Sequence, residues 1–263
     1  MAPQSSNSQM DGGRLMRAVM ALSGGMDSTG LLMKLLAEGY KVSCISYDYG
    51  QKHKIELERA EANIAYLAKN GYEVEHNLAD LSSVMSMFHS ALTSEDFDIP
   101  EGHYEEAQMK DTVVPNRNAI FASILYGYAL SVAIREDSNV VIALGVHSGD
   151  HAIYPDCREE FRDADFEAFK SGNWGADKVS LYTPYLKSTK FGILRDGEKC
   201  CDQMHIDFDS VYEKTNTSYK PIQINGKWYS DYKSASSVER VEAFIKLQRK
   251  DPVQYADEGG PVT

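Results

Sequence analysis

Apolar positions along this chain switch between two periods. A short apolar run from Arg17 reaches Leu22, and the polar turn Ser23-Gly24-Gly25-Met26-Asp27-Ser28 follows. Leu31, Leu32, Leu35 and Leu36 then mark one face of a helix. The same sequence of strand and helix recurs: 41–47 reads as strand, 55–69 as helix and 73–78 as strand. After 92–114, an acidic stretch punctuated by Pro and Gly that reads as a long functional loop, a helix is predicted over 118–134. Ile120, Phe121, Ile124, Leu125 and Tyr128 face inward on it. The most apolar run, 139–146, reads as a strand central in the sheet. A helix over 158–169, a strand over 179–183 and a helix over 189–196 complete the regular part, and a last helix is expected over 236–250.

This alternation predicts an α/β fold, a doubly wound and mainly parallel sheet with both faces covered, plus a small C-terminal helical extension. The expected divisions are a disordered leader at 1–15, where MAPQSSNSQMDGGRL has little to bury, and a nucleotide-binding and catalytic domain at 16–209. An extension at 210–250 and a flexible tail at 251–263 follow.

Charge narrows the choice of partner. The 263 residues carry 27 Lys plus Arg against 39 Asp plus Glu, a net −12, which repels a nucleic-acid backbone and favours a small-molecule substrate. The four cysteines show no C-x-x-C spacing, as in a reducing cytosol, so a cytoplasmic protein is expected. No apolar run approaches the roughly 20 residues of a membrane span, and the start of the chain lacks a signal-peptide profile. The expectation for assembly is a homodimer, with no membrane and no nucleic acid.

The turn at 23–28 is the strongest chemical signal. Ser23, Gly24, Gly25, Asp27 and Ser28 lie between a buried strand and a helix, where glycines let backbone amides approach phosphate oxygens and Ser28 donates to the anion. The plain alternative is a strand-to-helix turn capped by Asp27 or Ser28. Asp27 is also the candidate for orienting a magnesium shell. In Tyr47-Asp48-Tyr49-Gly50-Gln51-Lys52-His53, Tyr47, Gln51 and His53 are candidates for nucleotide contact, against a simple surface turn. Arg117 and Asn118, at a helix start, suit a phosphate or carboxylate. Gly145 through His147, Asp150 and His151 follow a strand end, where ligands of open parallel sheets bind. His147, Asp150 and His151 fit either a metal triad or hydrogen bonding to substrate. Tyr154, Asp156 and Arg158 continue that polar run; Cys157 reads equally as a small buried hydrophobe.

The string SGGxDS resembles the PP-loop of ATP-pyrophosphatases, which cleave ATP between its α and β phosphates. It has no Walker A lysine. Together with Val114-Pro115-Asn116-Arg117-Asn118, the 145–158 block, Tyr182-Thr183-Pro184 and Lys190, it resembles the 7-cyano-7-deazaguanine synthases (QueC-like proteins) across residues 17–195. That resemblance implies an adenine nucleotide alpha hydrolase-like, Rossmann-like fold, with ATP and Mg²⁺ as cofactors. It implies a reaction in which 7-carboxy-7-deazaguanine and ammonia become the nitrile through an acyl adenylate and an amide. Asp27, Lys190 and Arg117 would be catalytic, with Lys190 on the ATP phosphates. His147, Asp150, His151, Tyr154, Asp156 and Arg158 would read the deazaguanine and its carboxylate. Other readings stay open: a ligase that stops at the amide or joins the activated acid to another amine, even on a protein; a tRNA-modifying PP-loop enzyme; a nucleotide sensor without turnover.

The resemblance also implies a terminal zinc site of four cysteines, and here the pattern departs. Ser218, Asp231, Ser234 and Ser237 occupy the four places, and hydroxyls are poor Zn²⁺ ligands. In small modules such a metal contributes on the order of 10 kcal/mol of folding energy. A cluster of Tyr219, Trp228, Tyr229 and Tyr232 over the last helix is the expected replacement.

Overall fold

A computed structural model describes residues 10–11, 14–51, 54–88, 90, 113–147, 154–257 and 259–262. Two very short strands, β1 (Met10–Asp11) and β2 (Arg14–Leu15), pair antiparallel, so the end of the expected leader is a minimal hairpin. The central sheet then begins with β3 (Arg17–Ala21), followed by α1 (Met26–Ala37), β4 (Lys41–Asp48), α2 (Ile55–Lys69) and β5 (Glu75–Asp80). After the single helical turn α3 (Ser82–Met85) come α4 (Arg117–Glu136), β6 (Val140–Ala143), α5 (Glu159–Gly172), β7 (Val179–Tyr182) and α6 (Lys190–Met204). Most of the predicted loop, with Lys52, His53, Asp150 and His151, lies outside the described residues.

The five strands run in the order β5-β4-β3-β6-β7, and every pairing is parallel. β3 holds the middle, not the 139–146 strand that is the more apolar in sequence; β6 is interior, beside it. Side chains alternate along β3: Ala18 and Met20 join one apolar layer while Val19 joins the other, as the period of two requires. The first layer is closed by α1 with Leu31, Leu32 and Leu35 and by α6 with Ile193 and Leu194. The second is closed by α4 with Leu125, Tyr126 and Ala129 and by Phe166 of α5. α4 is in fact long and apolar enough by composition to cross a membrane; here one face of it, with Leu125, Tyr126, Ala129 and Ala133, is buried in the second layer.

Beyond 204 the chain is more ordered than its pattern predicts. A short α7 (Phe208–Tyr212), a hairpin of β8 (Ile222–Ile224) and β9 (Lys227–Tyr229), then α8 (Ala235–Leu247) precede a second hairpin of β10 (Tyr255–Asp257) and β11 (Gly260–Val262). The expected flexible tail is strapped down. Arg240, 1 % exposed, donates through Nε and Nη2 to the Asp251 carboxylate at 2.7 and 2.9 Å, and through Nη1 to Thr215 Oγ1 at 2.6 Å. Ser230 exchanges backbone hydrogen bonds with the same tail (Ser230 N to Gln254 O 2.8 Å, Ala256 N to Ser230 O 3.0 Å). A buried guanidinium with this fork of partners leaves no donor without an acceptor to attract it elsewhere.

Candidate active site

From β3 the chain leads to β4 on one side, while β6 lies on the other side of β3, so the strand order reverses between β3 and β6. At such a switch point the loops diverge and leave a crevice beyond the strand ends. The segment 22–25 leaves β3 there and 144–147 leaves β6. Gly24 is obligatory: its φ is +82°, and a Cβ would lie 2.0 Å from the carbonyl oxygen of Glu56. No side chain caps the N-terminus of α1. Ser23 Oγ instead accepts from Gly25 N at 3.2 Å and lies 3.0 Å from Ser28 Oγ, which holds the turn in shape beside a positive helix end.

Asp27, on the first turn of α1, meets Lys190, the first residue of α6, at 3.1 Å (Oδ2 to Nζ). Lys190 is also 3.3 Å from Glu239 Oε2 of α8. A lysine at a helix N-terminus faces the unfavourable end of the dipole, and the two carboxylates hold it there. Burial pushes the Asp27 carboxyl up, but Lys190 and then His147 outweigh it and keep it below the usual carboxylate range. Its other oxygen, Oδ1, is buried without a hydrogen-bond partner among the described residues.

Across the cavity, Val114 O accepts from Arg117 N at 3.2 Å and Asn116 takes the left-handed conformation, φ 58°, which starts α4. The Arg117 guanidinium sits 5.6 Å from the Tyr49 ring centre; burial opposes its charge, but Tyr49, Tyr154, Tyr219 and Asp156 favour it. Asn118 donates to Asp156 Oδ1 at 3.2 Å. Between these walls is a cavity of about 320 Å³, the size range of small-ligand sites.

Of the residues singled out in sequence, Ser23, Gly25, Asp27, Ser28, Arg117, Asn118, Gly145, Tyr154 and Lys190 face this cavity. Others are elsewhere. Tyr47 is buried in the second apolar layer, stacked on Phe121 at 4.2 Å with its hydroxyl donating to Phe121 O. Gln51 folds back on its own turn, accepting from Tyr49 N at 2.9 Å and donating to Tyr47 O at 3.3 Å. Asp156 stands behind Asn118, and Arg158 is an exposed residue whose carbonyl caps α5. His147 is buried, its Nε2 3.9 Å from Asp27 Oδ2, and lines a smaller neighbouring cavity of about 200 Å³ with Lys190 and Glu239. Sequence reasoning gave no site role to Glu56, Phe121, Asn216, Thr217, Tyr219 and Ser236, which line the main cavity. Asn216 N donates to Gly24 O at 2.9 Å, so residues 215–219 form a wall of the site as well as part of the extension.

The four places expected for zinc do converge, as a polar knot. Asp231 Oδ1 accepts from the hydroxyls of Ser218, Ser234 (2.7 Å) and Ser237 (3.0 Å), and Oδ2 from the amides of Lys233 (2.7 Å) and Ser234. The expected aromatic cluster does not form. Trp228, Tyr229 and Tyr232 belong to none of the apolar clusters of described residues, and Tyr232 donates to Asp257 at 2.9 Å.

A doubly wound parallel sheet with a glycine turn, a paired Asp and Lys and Arg117 around one cavity at its switch point defines an α/β protein with a crevice where such sheets bind ligands. Comparison with known proteins makes the class particular. The family model of QueC, described as queuosine biosynthesis protein QueC, matches residues 17–248. A 7-cyano-7-deazaguanine synthase 2 of Colwellia psychrerythraea is 42% identical over 241 residues, covering 91% of this chain and 99% of the relative. A 7-cyano-7-deazaguanine synthase of Methanoregula boonei is 40% identical over 240 residues, 91% and 99% covered. The chain therefore belongs to the QueC family. Among solved structures, an NMN synthetase from Francisella tularensis overlays with TM-score 0.45 at 11% identity, covering 89% of this chain and 78% of that one. A 4-thiouridine synthetase in complex with RNA and bound ATP overlays with TM-score 0.41 at 12% identity, 89% and 51% covered.

Proposed function

We propose that this chain is an ATP-dependent carbon–nitrogen ligase that converts 7-carboxy-7-deazaguanine and ammonia to 7-cyano-7-deazaguanine. The observation that carries the reading is one cavity with a phosphate-type turn and Lys190 on one wall and a caged Arg117 on the other. A carboxylate cannot lose oxide, so its oxygen must first attack the α-phosphorus and acquire AMP as a leaving group. The Gly24–Gly25 turn, the open end of α1 and Lys190 are suited to the triphosphate, and Arg117 with Asn118 and Tyr154 to the acid. Positioning and charge stabilisation then supply most of the acceleration. A second adenylation on the amide oxygen leads to loss of AMP and the nitrile.

Mg²⁺ fits at Asp27, whose Oδ1 is buried and unpartnered among the described residues; when bound it would neutralise phosphate charge. Zinc does not fit the C-terminal knot, since Asp231 already accepts five hydrogen bonds and its neighbours are neutral hydroxyls. The net charge of −12 supports a small-molecule substrate without nucleic acid. A cytoplasmic homodimer without membrane attachment completes the reading.

The test is mass analysis after incubation with ATP, Mg²⁺, ammonium and 7-carboxy-7-deazaguanine. Nitrile with two AMP per product is expected. Amide alone, an adduct with a different amine, or ADP in place of AMP would overturn the reading.

A further inference from the structure

The reaction just described needs a group that the phosphate-binding apparatus does not supply. Each carbon–nitrogen step releases protons from nitrogen. When ammonia adds to the acyl adenylate, the C–O bond to AMP breaks and AMP leaves with the electron pair, while the new ammonium nitrogen must shed a proton. When the amide oxygen takes up a second adenylyl group and pyrophosphate departs, the nitrogen sheds one proton. It sheds another as the C–O bond breaks to give the nitrile and AMP. No oxidant or reductant is involved, but a base must stand in the cavity.

Among the described residues lining that cavity, only Asp27 and Glu56 carry carboxyl groups, and no histidine lines it. Asp27 is engaged by Lys190 at 3.1 Å and belongs to the phosphate side. Glu56 sits differently. It lies on the first turn of α2, its own carbonyl packed against Gly24, so its position relative to the turn is fixed. Asn216 and the Arg117 charge both favour its ionised form. It thus lines one cavity with Gly25 of the glycine turn and with Arg117, the residue best placed to hold the acid. Resting on the functional reading above, we propose that Glu56 is the base that accepts the protons released from nitrogen in both stages.

Its protonation suits that role. Burial pushes the Glu56 carboxyl up to about 7, against the opposing pull of Arg117 and Asn216, so it can both take a proton and return it to solvent near neutral pH. A carboxyl so raised is a stronger base than one at the ordinary value of about 4.3.

Glu56→Gln keeps the shape and removes the base. The first measurement is carboxylate-dependent exchange of labelled pyrophosphate into ATP without ammonium, which reads adenylation alone. The second is amide and nitrile formation with ammonium, as a function of pH. For Glu56→Gln, exchange is expected within about threefold of the unaltered protein, while ammonium-dependent product falls by about 100-fold, the usual worth of a positioned base. The rising limb near pH 7, corrected for free ammonia, should vanish. Hydroxylamine, which is already unprotonated at pH 7 and gives a less basic adduct, should restore most of the rate of acyl transfer. Undiminished amide formation in the variant would overturn the proposal. So would parallel loss of exchange and amide formation, because Glu56 would then hold ligand or fold. If the unaltered protein shows no carboxylate-dependent exchange, the functional reading itself fails, a result separable from both.

Discussion

Two aspartates in this protein, Asp231 buried and Asp27 partly buried, are both held ionised, by opposite means. Asp231 is 6 % exposed, and although burial pushes its carboxyl up, hydrogen bonds from Ser218, Ser234 and Lys233 more than reverse that. Its acceptors are filled by neutral donors, from Ser218 and from residues 233–237. Asp27 is held ionised chiefly by the charge of Lys190, and one of its oxygens has no hydrogen-bond partner among the described residues. A fully satisfied carboxylate is a structural device; one left open beside a cavity is an arrangement awaiting a ligand, since an unmade hydrogen bond is costly in a folded chain. The knot stands where the family resemblance implied a metal, and it joins the same three segments around 218, 231 and 234–237 that a metal would tie.

The comparison breaks most decisively at Asp27. Asp27→Asn should lower adenylation by about 100- to 1000-fold, the range for removal of one preorganised electrostatic group. Its melting temperature should stay within a few degrees, because the amide keeps an oxygen for Lys190, whose charge Glu239 still balances. Parallel pyrophosphate-release assays and thermal melts read both; a collapse in stability with the activity would erase the distinction between the two aspartates. Asp231→Ala should do the reverse. Stranding three hydroxyls and two amides should cost about 3 kcal/mol, seen as a lower denaturant midpoint, with activity per folded molecule little changed. Incubation of the unaltered protein with a strong zinc chelator should leave that midpoint where it was, and a fall would show that metal holds the module.

The smallest expected effect is in the pH dependence. The Asp231 carboxyl lies below its ordinary value of 3.8 in the folded chain, so its contribution is complete above about pH 4 and is lost as pH falls through the folded value. Asp231→Asn should therefore show a flatter acid limb of stability than the unaltered protein, while leaving the slope between pH 5 and 8 unchanged. A difference confined to that neutral range would contradict the assignment.

Most of the sheet was legible in the sequence because parallel strands buried on both faces are runs of apolar residues, as β3 and β6 are. The helix over 55–69 was legible to the residue. What was not legible was pairwise geometry. Tyr47 and Gln51 stand in a block that looks nucleotide-directed, yet one is stacked in the core and the other braces its own turn. Glu56 was passed over because an acidic residue in the first turn of a helix has an ordinary explanation in the helix dipole. The tail looked flexible because nothing local marks Asp251 as the partner of Arg240, eleven residues earlier. The knot was missed for a related reason. Serines at metal positions read as loss, and only the folded chain brings them together on Asp231.

The central claim is that the turn at the end of β3 grips the phosphate tail of ATP. A crystal of the protein with a non-hydrolysable ATP analogue and Mg²⁺ tests it most directly. The account predicts phosphate oxygens on the amides of the 23–28 turn, Lys190 within hydrogen-bonding reach of them and the adenosine α-phosphorus facing Arg117 across the cavity. A nucleotide bound elsewhere, with the turn empty, would contradict it.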